Sequence, residues 1–170
     1  MLILTSTILN LPVAALDEQK KIGEVKDLVF DPNNGELLGL LVGQKGFFLQ
    51  RTNALSSQDI LDFDKNGIVT KSEENLVELD EIVRIKKSLH DKIKIIGQKA
   101  VAKSGKKLGH IYDLLIDADT LVITKYYIKD MLEERIIPAN CVVEITPRAV
   151  VFSDDVIEAV GRTEMEGAAA

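Results

Sequence analysis

One phrase occurs twice in this chain, and it limits the possible folds more than any other feature. Lys21-Ile-Gly-Glu-Val-Lys-Asp-Leu-Val-Phe-Asp31 returns as Lys107-Leu-Gly-His-Ile-Tyr-Asp-Leu-Leu-Ile-Asp117, with Lys, Gly, Asp, Leu and the final Asp in place and apolar residues between them. A period of about 86 residues is too long for a solenoid unit and fits a duplicated small domain. Within 170 residues each copy is near the lower size limit for a self-sufficient core, so the halves are expected to lean on one another, in pseudo-twofold fashion. There is no Trp and few aromatics. The core must come from Ile, Val and Leu, which suits strands.

Leu11 to Ala15 aligns with Gln98 to Ala102, and each run leads through a polar turn into the repeated strand. Gly23 marks a bulge or close approach at the start of that strand. Asp31-Pro-Asn-Asn-Gly35 is dense in turn chemistry, and Leu37 to Val42 returns as a hairpin partner. In the second copy Asp117-Ala-Asp-Thr120 turns into Leu121 to Ile128. The copies then diverge, one through Gly46 to Leu49 and a polar loop to Ile60, the other through Arg135 to Pro138. They rejoin as hairpins, Ile60–Phe63 with Ile68–Thr70 and Val142–Ile145 with Val150–Phe152. Short strands at close spacing predict a mainly β chain of two tandem small barrels. Leu79 to Leu89 has helical spacing, with Asp80 and Glu81 early and Lys86 and Lys87 late, as the helix dipole prefers. Asp155 to Val160 is its expected counterpart, so each barrel closes with a short helix. The expected division is residues 1–78, a helix and linker at 79–91, residues 92–160, and a tail at 161–170.

The pattern Gly-x-x-x-Asp-Leu-hydrophobic-x-Asp, then a turn and a hydrophobic strand, resembles the PRC-barrel domain. Gly23, Asp27, Leu28 and Asp31 carry it in the first copy, and Gly109, Asp113, Leu114 and Asp117 in the second. Ile60 and Val142 head the closing hairpins that the family also has. The family takes its name from the cytoplasmic domain of the photosynthetic reaction-centre H subunit and includes the C-terminal domain of a ribosome-maturation factor. The resemblance implies tandem barrels serving as a protein-interaction adaptor. The second copy departs at the turn, where Leu121 stands in place of Gly35, and its turn type is left open.

Asp62-Phe-Asp64-Lys-Asn66-Gly-Ile-Val-Thr70-Lys-Ser-Glu73 matches the EF-hand calcium loop, with oxygens at Asp62, Asp64, Asn66, Thr70 and Glu73. Its context argues against calcium. No helical stripe precedes it, and the second copy keeps the strands without the oxygens; the alternative is a hairpin turning at Lys65-Asn66-Gly67. Asp27 with Asp31, and Asp113 with Asp117, share a strand face but stand roughly 13 Å apart, beyond the reach of a glycosidase-type pair. Turn formation is the expected role of these aspartates. His90 and His110 have no Cys or His at metal spacing, Cys141 has no activating neighbour, and Gly43-Gln-Lys-Gly46 lacks the phosphate-loop ending. The reading is a non-enzymatic protein that needs no metal or cofactor.

The net charge is −6, but it is unevenly placed. Basic residues number 7 against 14 acidic up to Val83, 9 against 1 from Arg84 to His110, and 5 against 12 beyond. The basic segment holds Arg84, Lys86, Lys87, Lys92, Lys94, Lys99, Lys103, Lys106 and Lys107. It reads either as a linker neutralising its acidic flanks or as a surface for RNA phosphate or anionic lipid. The segment has no Phe, Tyr or Trp for base stacking, which disfavours RNA. Met1 to Leu16 lacks a basic start and an unbroken apolar run, so it is expected to be an opening strand and not a signal peptide. No stretch is long and apolar enough to span a bilayer. The lone Cys141 favours a reducing compartment, and the chain is expected to be soluble and cytoplasmic.

Three functions follow from this reading. The first is an adaptor that binds another protein, with Phe47, Phe48, Tyr126 and Tyr127 as contacts unless they pack internally. The second is a factor associated with ribosomal particles or RNA through the basic segment. The third is peripheral contact with an anionic membrane or a photosynthetic complex.

Overall fold

The computed structural model of the chain describes residues 1–45 and 50–157. Two curled, mainly antiparallel sheets dominate, and the repeat is visible in their strand order. In the first sheet β2 (Pro12–Ala15), β3 (Lys20–Phe30), β4 (Leu37–Lys45), β5 (Gln50–Ser56), β6 (Ile60–Asp64), β7 (Gly67–Thr70) and β8 (Leu76–Val77) run in the order β6-β7-β2-β3-β4-β5-β8. In the second, β9 (Lys99–Ala102), β10 (Lys107–Asp117), β11 (Val122–Lys129), β12 (Glu134–Pro138), β13 (Val142–Ile145) and β14 (Ala149–Phe152) run β12-β11-β10-β9-β14-β13. In each sheet the short strand before the central one pairs in parallel with the second strand of the closing hairpin, β2 with β7 and β9 with β14. The long central strands bury Ile22, Val25, Leu28, Val29 and Phe30 on β3 and Leu108, Ile111, Leu114 and Ile116 on β10. Since successive side chains point to opposite faces, β3 is covered on both faces over residues 28–30.

The two cores are one. Val25, Leu28, Leu40 and Ile68 of the first sheet belong to the same buried cluster as Leu108, Ile111, Ile128 and Phe152 of the second. Tyr126, 2% exposed, sits edge-on to Phe152 within it, at 5.4 Å between ring centroids. Tyr126 is therefore core and not a surface contact; Tyr127 is half-buried against the Tyr112 ring. The hairpin turns of the repeats meet at the junction. Leu37 N–H donates to the Leu121 carbonyl at 2.7 Å, and Ile123 N–H donates to the Gly35 carbonyl at 3.0 Å. These bonds exchange under the repeat offset, as a twofold relation requires.

Several expectations need correction. Met1–Leu16 is not one opening strand: β1 (Leu2–Leu4) leads into the one-turn helix α1 (Thr5–Ile8) and only then into β2. Moreover, β1 leaves its own repeat and pairs antiparallel with Leu115–Asp117 of β10. The expected polar loop between Leu49 and Ile60 contains β5, which pairs with β4 from Gly39↔Ser56 to Lys45↔Gln50. Its buried residues are Ala54 and Leu55, while Arg51 and Thr52 are exposed, so composition alone hides the strand. The helix expected at Leu79–Leu89 is split. A 3₁₀ turn at Leu79–Glu81, closed by a capping box between Glu78 and Glu81, ends at extended Ile82. Helix α2 (Val83–His90) follows and buries Ile85 against Val29, Leu38 and Ala54. After β14, Asp155 to Ile157 are helical; Glu158–Val160, the expected rest of that helix, the tail at 161–170, and Phe47 and Phe48 lie outside the described residues.

Candidate functional site

The repeated signature residues form latches between the halves. Asp113 lies on β10 and is buried. It accepts hydrogen bonds from Thr5 Oγ1 at 2.6 Å, Ser6 N at 3.0 Å, Ser6 Oγ, and its own neighbour Leu114 N at 2.9 Å. Burial pushes this carboxyl up, but the Ser6, Thr5 and backbone donors outweigh burial and hold it below the ordinary carboxylate range. Asp27, its counterpart on β3, keeps the bond from the next residue, Leu28 N, at 2.9 Å. Its outward partner among the described residues is Lys94 Nζ at 3.6 Å.

Asp31 and Asp117 each fold back on the turn that follows, accepting the amide of Asn33 at 2.8 Å and of Asp119 at 2.9 Å. Asp31 also receives Arg84 Nη2 at 2.5 Å. Burial raises its pKa, but Asn33 and Arg84 bring it below the ordinary value. Each pair is thus spent on turns and on the segment leading into the other repeat. Residues 5 and 6 hold the second barrel, and residues 84 and 94 hold the first.

The signature glycines have a steric task. A Cβ on Gly23 would stand 2.8 Å from the Gly43 carbonyl oxygen, and one on Gly109, where φ is 126°, would overlap the Lys129 carbonyl. Both positions let the central strand and its hairpin partner approach more closely than a side chain permits. The turn of the second copy is also settled. Leu121 has φ 57° and Gly35 has φ 72°, so Leu takes the left-handed conformation that its repeat partner fills with glycine. Leu121 is half-buried against the shared core, and that contact offsets the conformational cost.

The calcium-loop residues do not converge. Lys65 and Asn66 form the tip of the β6–β7 hairpin, and Asp64 Oδ1 accepts from Asn66 N at 2.6 Å and Gly67 N at 3.2 Å. Thr70 is buried and donates to the Asp59 carbonyl, while Glu73 pairs with Lys20 at 2.6 Å. Asp62 binds the next backbone amide, Phe63 N, at 3.0 Å. Among the described residues no group of three His, Cys, Asp or Glu side chains could hold a metal ion.

The basic segment is broken up by the fold. Arg84 and Lys94 are drawn onto Asp31 and Asp27, and Lys86 stands 3.6 Å from Asp80. Lys87, Lys92, Lys103 and Lys106 are exposed. Lys99 and Lys107 instead line an open groove of about 650 Å³ in the second barrel, together with Lys129. Val101 and Gly109 lie along this groove, and Met131 and Leu132, 99% and 94% exposed, stand at its end in the β11–β12 hairpin. Sequence reasoning missed Lys129, Met131 and Leu132. The available signal was an adjacent apolar pair inside the otherwise charged run Lys129-Asp-Met-Leu-Glu-Glu134.

No helix among the described residues is long and apolar enough to cross a membrane. Residues 2–85 match the family model of the PRC-barrel domain. Beyond that match, the second half is tied to the first by strand order, by the paired glycines and by the reciprocal turn bonds. No curated protein matches the chain.

Proposed function

This chain belongs, through residues 2–85, to the PRC-barrel family, and from that premise we propose that it is a non-enzymatic, cytoplasmic adaptor that binds another protein. The observation that carries this reading is the contrast between its polar and apolar groups. Asp31, Asp113, Asp117, Asp64 and Glu73, the side chains that imitate chemical motifs, are engaged in turns, latches and ion pairs. Meanwhile Met131 and Leu132 stand almost fully in water beside lysines on one barrel. Large apolar side chains held out at the tip of a hairpin are characteristic of a contact surface.

The test is an affinity capture from native lysate, with and without nuclease, read by mass spectrometry. The expected outcome is a small set of proteins that survives nuclease treatment. Ribosomal proteins lost on nuclease treatment would put the basic segment 84–110 and an RNA role first. Flotation with anionic vesicles would do the same for the peripheral membrane role.

A further inference from the structure

The two barrels differ on the outer face beside the signature glycine. In the first barrel this face is closed. The stem of Lys26 lies across Gly43, so that a Cβ there would come within 2.6 Å of Lys26 Cε. Glu24 pairs with Lys21 at 2.7 Å and with Lys26 at 3.2 Å, neutralising what surrounds it.

In the second barrel Lys26, Glu24 and Gly43 are replaced, while Lys21 keeps its lysine as Lys107. Tyr112 stands at the position of Lys26 and turns edge-on to Tyr127, at 6.1 Å between ring centroids. His110 replaces Glu24, and Lys129 replaces Gly43 and sits 5.0 Å from the Tyr112 ring centroid. No carboxylate among the described residues pairs with Lys99, Lys107 or Lys129. The result is an uncovered apolar groove with a cationic rim on a chain of net charge −6.

We propose that this groove binds an acidic peptide segment of a partner protein. An apolar side chain of that segment seats among Val101, Met131 and Leu132, and its flanking carboxylates meet Lys99, Lys107 and Lys129. The proposal rests on the protein-interaction reading and supplies its missing face. Charge complementarity selects an acidic occupant, and the apolar lining selects one with hydrophobic side chains between its charges. A peptide fits better than an anionic bilayer, because the lysines line a groove, with Asp130 the one carboxylate in its lining, and an extended segment can enter a groove that a flat headgroup surface cannot. It fits better than single-stranded nucleic acid because no Phe, Tyr or Trp lines the groove to stack on successive bases, and His110 is the one ring in its lining.

The direct test titrates the isotope-labelled full chain with a synthetic peptide alternating Glu and Leu, and with its Lys and Leu counterpart, following backbone amides by NMR. The acidic peptide should move Val101, Gly109, His110 and Met131, and the basic one should not. The double substitution Lys107→Glu with Lys129→Glu should weaken binding at least tenfold. So should Met131→Ser with Leu132→Ser, which leaves the charge unchanged and would not affect a purely electrostatic contact. All four side chains are outside the core, and an unchanged melting temperature verifies that the variants fold. Shifts that map elsewhere, equal binding of both peptides, or affinity indifferent to both variants would overturn the proposal. Binding to phosphatidylserine vesicles with no response to the acidic peptide would overturn it in favour of a membrane.

A parallel capture separates this proposal from the reading beneath it. If the Lys107→Glu, Lys129→Glu chain retains the same nuclease-resistant proteins as the wild type, the groove falls and the adaptor stands. If the wild type retains none, the adaptor falls as well.

Discussion

Asp113 and Asp27 occupy the same position of the same motif, yet only one of them is a structural keystone. Asp113 is enclosed by Thr5 and Ser6, whose hydroxyls and backbone supply donors matched to its oxygens. Asp27 meets the corresponding entry segment of the second repeat, which offers Lys94 at 3.6 Å and no hydroxyl. A carboxylate in water beside a lysine is worth little, whereas one sealed among neutral donors is costly to remove. A repeated residue therefore keeps its geometry through duplication, while its energetic weight is set by what the rest of the chain brings to it.

The strongest way to break the comparison is at the glycine both barrels share. Gly109→Val should destabilise the second sheet by about 3 kcal/mol or more, since the Lys129 carbonyl occupies the space a side chain needs. A urea melt would measure it, and a loss under 1 kcal/mol would mean that the close approach is not required.

Next in size come the aspartates. Asp113→Ala should cost about 2–4 kcal/mol by leaving buried donors without an acceptor. Asp27→Ala should cost under about 1 kcal/mol. Equal losses would mean that the latch is symmetric after all. The pH dependence follows the same asymmetry. The folded pKa of Asp113 lies below its unfolded value of about 3.9, so its stabilisation is complete above that value and fades as pH falls through the folded one. The gap between wild type and Asp113→Ala should be widest near neutrality and shrink below about pH 4, whereas the Asp27→Ala gap should stay small throughout.

Much of this organisation was legible in the sequence. The phrase from Lys21 to Asp31 and its copy locate both central strands, and the Asn-Gly turn at the β6–β7 tip is written in its own residues. What could not be read depends on partners distant in the chain. Nothing near Thr5 announces Asp113, 108 positions away. Strand β5 presents a polar outer face, so its two buried residues give too short a period to register. Asp64, Asn66 and Gly67 serve a hairpin with the same residue types that a calcium loop uses, because both need oxygens aimed at a tight turn. The groove escaped notice because Lys99, Lys107 and Lys129 become neighbours only when β9, β10 and β11 pair.

The smallest expected effects, alongside that of Asp27→Ala, concern the hairpin turns. Gly35→Ala should cost about 1 kcal/mol, the penalty of a left-handed residue where there is room for the methyl group. Leu121→Gly should change stability by less than about 1 kcal/mol, since relief of backbone strain offsets lost packing. Thermal melts of both variants test this, and a large loss for Leu121→Gly would make its side chain a core anchor.

The exchange of β1 onto the far sheet has a temporal consequence. Leu2–Leu4 is made well before its docking site, Leu115–Asp117, which follows more than a hundred residues later. During synthesis the opening segment must wait, unpaired, while the sheet that follows it assembles. Closing so long a loop is slow, though the added entropy grows only logarithmically with length. Maturation of the whole chain is thereby timed by its second half. Cutting the polypeptide between the repeats would yield two fragments, each lacking a piece carried by the other, that recover their stability only on recombination.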